Sequence, residues 1–199
     1  MKTSASSAGL LAALMCGGVA SADTVELKAT ADATLYESAT GELANGAGDN
    51  IFAGRTAAGL VRRALLRFDV AAALPEGATV TKATLTLAMN KSNAGDKDVT
   101  IHRVTADWGE GASDAALNEG KGIAPEGGDA TWIHAFFDSA LWSGAGGDYD
   151  GTASATTTVG GDGTYTWTSS GLAADVQAWR DDPSSDFGWA IVGDESSAS

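Results

Sequence analysis

Two neighbouring segments alternate with a period of two, and that alternation constrains the fold more than anything else in the chain. From Arg63 to Val70, Ala64, Leu66, Phe68 and Val70 interleave with Arg63, Leu65, Arg67 and Asp69. From Lys82 to Met89, Ala83, Leu85, Leu87 and Met89 fall on one face, with Lys82, Thr84, Thr86 and Ala88 on the other. Successive side chains of a strand point to opposite faces, so this spacing predicts strands with one buried side. Pro75, Glu76 and Gly77 supply the turn between them. Further strands are expected at Val25–Ala31, Val99–Val104, Trp132–Phe137, Tyr165–Trp167 and Phe187–Val192, which are rich in β-branched and aromatic residues. Gly160–Gly163 reads as a hairpin turn. Only Leu172, Val176 and Trp179, recurring at i, i+4 and i+7 before Asp182-Pro183, predict a helix, expected to cover one end of the sheets. The fold class is therefore all-β, an antiparallel sandwich with one short helix.

The N-terminus reads as an export signal. Lys2 gives a short positive region, Ala8–Val19 is apolar but too short to span a bilayer, and Ala20-Ser21-Ala22 has the A-x-A form of a cleavage site. We place a signal peptide at residues 1–22 and a single domain at 23–199, with no transmembrane segment. Cys16 could instead mark a lipid anchor, although Met15 stands where a small residue is usual. Cleavage after Ala22 removes this single cysteine, so the domain must be held by its core without disulfides, which a chain of this size can supply. Secretion or surface display is expected, with the periplasm as an alternative.

The net charge of −14 becomes one unit more negative when Lys2 is lost, which disfavours nucleic acid and unaided binding of an acidic polysaccharide. Catalytic motifs are missing: there is no nucleophile elbow and no phosphate-binding loop, and His102 and His134 have no Cys or His at metal-ligand spacing. No acidic pair can be nominated as catalytic without a separation in space, and we expect no enzyme. Asp148 and Asp150, flanked by glycines in GGDYDG, are a candidate calcium position, because calcium takes carboxylate and carbonyl oxygens. A solvated turn is the plainer reading, and Asp194-Glu195 is a weaker candidate pair. Two long connectors, Thr105–Ala130 and Ser139–Gly151, are where a site is expected. Trp108, Trp142 and Tyr149 lie in or beside them and are candidates for a sugar-stacking platform, with packing under the loops as the alternative. Trp132, Trp167 and Trp189 lie in expected strands and are assigned to the core.

The runs RRALLRFDV, LPEGATVTKATLTL and VTIHRVTADWGEG resemble the DNRLRE-domain family, exported modules related to an alginate-binding carbohydrate-binding module. The runs GDATWIHAFF, GGDYDGTASATT and DVQAWRDDPSSDFGWAIVGDESS fit the same family in the same order. The resemblance implies a jelly-roll β-sandwich with a binding role and no catalysis. The family continues beyond the last of these runs, so we expect either a fragment lacking its last strand or, in a complete chain, a sheet edge near the N-terminal strand open to a partner strand. Alginate-binding relatives would be expected to use basic residues. Here Arg62, Arg63, Arg67 and Arg103 could form a local basic strip, although pairing with nearby carboxylates is favoured. The function expected is recognition of a polysaccharide or cell-surface glycan, with calcium as a candidate ion. A structural surface or biofilm-matrix protein is the alternative.

Overall fold

The computed structural model describes residues 9–15, 22–92 and 94–196. Of the expected signal peptide, residues 1–8 and 16–21, with Cys16, lie outside the described residues. The strands are β1 (Gly9–Met15), β2 (Ala22–Lys28), β3 (Ala31–Tyr36), β4 (Gly54–Arg55), β5 (Val61–Arg67), β6 (Thr79–Met89), β7 (Lys97–Arg103), β8 (His134–Phe136), β9 (Ala140–Leu141), β10 (Ala155–Val159), β11 (Gly163–Ser169) and β12 (Trp189–Val192). The helices are a single turn, α1 (Val70–Ala73), and α2 (Ser170–Asp181). All strand pairs are antiparallel. One sheet runs β11-β6-β1-β2 and the other β10-β7-β12-β5-β3, with β4 beside β5; β8 and β9 form a small ribbon. The result is a β-rich fold of packed sheets with one longer helix.

The alternation read from the sequence explains the packing between the sheets. Ala64, Leu66, Phe68 and Val70 enter one core together with Ala83 and Leu85 of β6, Ile101 of β7, Trp167 of β11 and Trp189 and Ile191 of β12. The expected strand 63–70 ends at Arg67, because the Asp69 carboxylate accepts the Ala72 N–H at 3.0 Å and turns the chain into α1. Helix α2 adds Leu172, Val176 and Trp179 to this inner core and packs along β6. Ser169 caps it by accepting the Leu172 N–H at 3.0 Å.

A third layer departs from a two-layer sandwich. The opposite face of the β12–β5–β3 sheet carries Ala190, Leu65, Ala33 and Leu35, and this face is also dry. The long connectors fold over it and contribute Trp108, Ala130, Ala135 and Trp142 to a second core. Asp129, fully buried, fastens this layer by accepting the N–H groups of Glu126 (2.6 Å) and Ser113 (3.4 Å). Gly111, at φ 72°, lies so close that a Cβ there would stand 1.7 Å from the Asp129 carboxylate. The expected strand Trp132–Phe137 is accordingly reduced to β8, paired only with β9 in this layer.

Candidate functional site

Arg63 organises the most chemically varied surface of the outer layer. It leaves β5 on the same side as Leu65, which a period of two requires, and its guanidinium lies under the loop layer. The guanidinium carbon sits 4.8 Å from the Trp132 ring centre and 5.4 Å from that of Tyr149. Nε and Nη2 donate to the two oxygens of Glu195 at 2.7 and 2.9 Å, and Nη1 donates to the Gly146 carbonyl at 2.8 Å. A forked donor set facing a planar carboxylate holds both groups in one orientation. Gly146, at φ 93°, makes room for this: a Cβ there would meet Arg63 Nη1 at 2.2 Å and Trp132 Cζ2 at 3.0 Å. Arg63 and Glu195 remain 16% and 25% exposed, and both rings are half-buried, so aromatic and charged groups share one patch of surface.

Tyr149 joins this patch to a second one. It forms a bridge with Val104, and His102 packs against it with ring centres 5.2 Å apart and planes tilted by 59°. His102 Nδ1–H donates to the Asp150 carbonyl at 2.8 Å, while Nε2 is 2.9 Å from the Thr100 hydroxyl. Burial raises the Tyr149 phenol above its ordinary value, opposed by the neighbouring Arg63. After Tyr149 the chain follows β7, but residues 151–153 bulge outward before β10 begins. The bulge and the first turns of α2 bound an open depression of about 360 Å³ lined by Asp150, Thr152, Ser154, Gly171 and Asp175. The Asp175 carboxylate accepts from Ser154 Oγ at 2.5 Å and from Trp189 Nε1 at 2.8 Å; burial raises its pKa.

The structure divides the residues singled out from the sequence. Trp108 is 1% exposed, donates its indole N–H to the Phe187 carbonyl at 2.8 Å and lies beneath Arg67. Trp142 is 6% exposed and donates to the Thr131 carbonyl at 2.9 Å. Both are packed under the loops, and of the three platform residues Tyr149 keeps open surface. Trp132, assigned to the core from its position in an expected strand, is half-buried beside Arg63, whereas Trp167 and Trp189 are core residues. The Asp148 carboxylate accepts the N–H groups of Ser143 (2.8 Å) and Gly144 (3.1 Å), and Asp150 lines the depression. Among the described residues no three His, Cys, Asp or Glu side chains gather into a metal-holding group. Of the four arginines, Arg63 meets Glu195 and Arg67 meets Asp107 at 2.5 Å, whereas Arg62 lies over the Tyr36 ring and donates to the Val61 carbonyl, and Arg103 donates to the Ser185 hydroxyl.

Sequence reasoning missed Arg63, Trp132 and Glu195 as a group because they are distant in the chain. The available signal was the set of three arginines in VRRALLR, which does not by itself single out Arg63. No helix among the described residues is long and apolar enough to cross a membrane.

No curated protein and no solved structure matches the chain significantly. A family model does match residues 23–113, somewhat under half of the chain, a stretch that holds Arg63 and Trp108 and stops short of Trp132 and Tyr149. The family is carbohydrate-binding module family 96, so over these residues the chain is similar to carbohydrate-binding modules and not specifically to the DNRLRE family.

Proposed function

We propose that the protein is an exported, non-catalytic module that recognises a polysaccharide on the surface around Trp132, Arg63, Tyr149 and Glu195. The observation that carries this reading is the match of residues 23–113 to a carbohydrate-binding module family. The geometry supports it. Sugars offer C–H faces to aromatic rings and vicinal hydroxyls to charged donors and acceptors, and this patch sets both side by side, with Arg63 fixed on β5. The net charge of −14 favours a neutral polysaccharide over a polyanion. Calcium enters the proposal at Asp148 and Asp150. Each carboxylate has about four lone-pair positions, so the two N–H groups on Asp148 leave acceptor capacity.

The test is a binding screen of the exported protein against neutral and acidic polysaccharides, each with calcium and with EDTA. Saturable binding to one class is expected. Tyr149→Ala and Trp132→Ala should each weaken it by up to roughly tenfold, given about 0.5–1.5 kcal/mol for an aromatic contact, in protein that is still folded at the assay temperature. Undiminished binding by both variants would move the site elsewhere. Absence of binding by folded protein would favour the alternative of a structural surface component, to which β2, at the edge of its sheet, is suited.

A further inference from the structure

The depression beside α2 opens on the other side of the sheet edge from the Arg63 patch. The Thr105 N–H donates to the Asp148 carbonyl at 2.9 Å and the Asp150 N–H to the Arg103 carbonyl at 2.8 Å, so residues 148–150 run extended beside the end of β7. Successive side chains of an extended segment point to opposite faces. Tyr149 faces the outer layer with Val104 and Arg63. Asp150 faces the inner side, where it lines the depression together with residues of α2.

Local structure builds this surface. Pairing with β7 resumes only at Ser154, whose N–H donates to the Ile101 carbonyl at 2.7 Å, so residues 151–153 stand out of the sheet. Their N–H groups and the Thr152 hydroxyl donate to no described residue. The start of α2 is drawn against the end of the bulge: Ser169 Oγ donates to the Ser154 carbonyl at 2.5 Å, and a Cβ on Gly171 would stand 2.5 Å from the same oxygen. Ser154 Oγ and Trp189 Nε1 both donate to Oδ2 of Asp175. Oδ1 of Asp175 takes no hydrogen bond from any described residue, in a residue only 9% exposed. Burial raises the Asp175 pKa, while Ser154, Trp189 and Arg103 favour its charged form, so Oδ1 is an oriented acceptor short of water.

The lining decides what fits. It sets the acceptors Asp150 and Asp175 beside the open donors of the bulge, and its apolar side chains are no larger than alanine. An apolar ligand gains little on such a surface, and an anion meets two carboxylates. A hard cation takes about six to eight oxygens, and among the described residues no third acidic or histidine side chain joins these two. Neutral hydroxyls suit both halves, since they donate to carboxylates in charge-assisted bonds and accept from N–H groups. A volume of about 360 Å³ lies at the small end of the range of roughly 300–1,000 Å³ for small-molecule sites.

We propose that the depression between the 151–153 bulge and α2 is a carbohydrate site in its own right, which holds a single neutral sugar ring through vicinal hydroxyls bound by Asp150 and Asp175. The inference rests on the reading of the chain as a glycan-binding module. Together with the Arg63 patch it gives the protein two sites that face apart across one sheet edge, each taking its own stretch of glycan.

The experiment titrates isotope-labelled protein from exporting cells with glucose, galactose, mannose, xylose and N-acetylglucosamine, and follows the backbone amides by NMR. At least one sugar should give saturable shifts at residues 150–154 and 171–175. Ala174→Leu, at an exposed helix position in the lining, fills the depression with a good helix former and should abolish these shifts. Asp175→Asn, which turns the open acceptor into a donor, should weaken binding there by roughly tenfold or more. Shifts confined to the surroundings of Trp132, Arg63 and Tyr149 would overturn this site and leave the aromatic patch standing, whereas shifts confined to the depression would support this site and remove the patch. The proposal is also overturned if none of the sugars gives a saturable shift at the depression, if the shifts survive both substitutions, or if calcium chloride shifts these amides and no sugar does, which would make the depression a cation site.

Discussion

Tyr149 and Trp108 occupy the same loop layer and do different work. Tyr149 and Trp132 keep open surface beside Arg63, while Trp108 is packed in one core with Leu65 and Ala190, its indole N–H satisfied. Trp108→Ala should therefore cost about 3–5 kcal/mol in chemical denaturation, from the cavity and the lost hydrogen bond, and lower binding only in proportion to unfolding. A change below about 1 kcal/mol would show that the loops close over the vacancy. The two kinds of residue were indistinguishable in the sequence. Trp108, Trp142 and Tyr149 all stand among glycines and acidic residues, and only the dry outer face of the β12–β5–β3 sheet decides which rings are covered.

At the level of elements, the strands that face one core were legible, because one-sided burial imprints a period of two on β5 and β6. β3 was missed for the converse reason. Its residues Ala33, Thr34, Leu35 and Tyr36 are all buried, so ADATLY shows no alternation, and β10 was hidden in a run of threonines. Helix α2 was legible from Leu172, Val176 and Trp179, yet its start was not, since Ser169 ends β11 and caps the helix in one residue. Ser169→Ala should cost about 1 kcal/mol by leaving the Leu172 N–H without its acceptor. Its hydroxyl also donates to the Ser154 carbonyl at 2.5 Å, so loosening at the depression beside Asp175 should accompany the loss, read as faster amide exchange at 151–154. An unchanged denaturation midpoint would mean that packing alone holds the helix start.

At the scale of the whole molecule, excess negative charge is carried partly inside. Asp32 is pushed up to about 6 by burial and by the facing Glu110, and Asp186 to about 6, mainly by burial. An unfolded aspartate titrates near 3.9, so between about pH 4 and pH 6 the folded state holds protons that the unfolded state has lost. Stability should therefore fall as pH rises through that window and level off above it. Asp32→Asn with Asp186→Asn should flatten this slope and stabilise the protein at pH 7 by about 1 kcal/mol per site, after allowance for screening at partly exposed positions. Thermal melts from pH 4 to pH 8 measure it, and a slope unchanged by the double substitution would assign the dependence to other groups.

The middle of the larger sheet, where β5 and β12 are packed on both faces, has a kinetic consequence. Water can reach the amides of β5 and β12 only when the inner packing parts or when the glycine-rich loops lift off together with Trp108 and Trp142. Segments that look like decoration in the sequence thus act as the outer wall of these two strands, whose amides should exchange slowly.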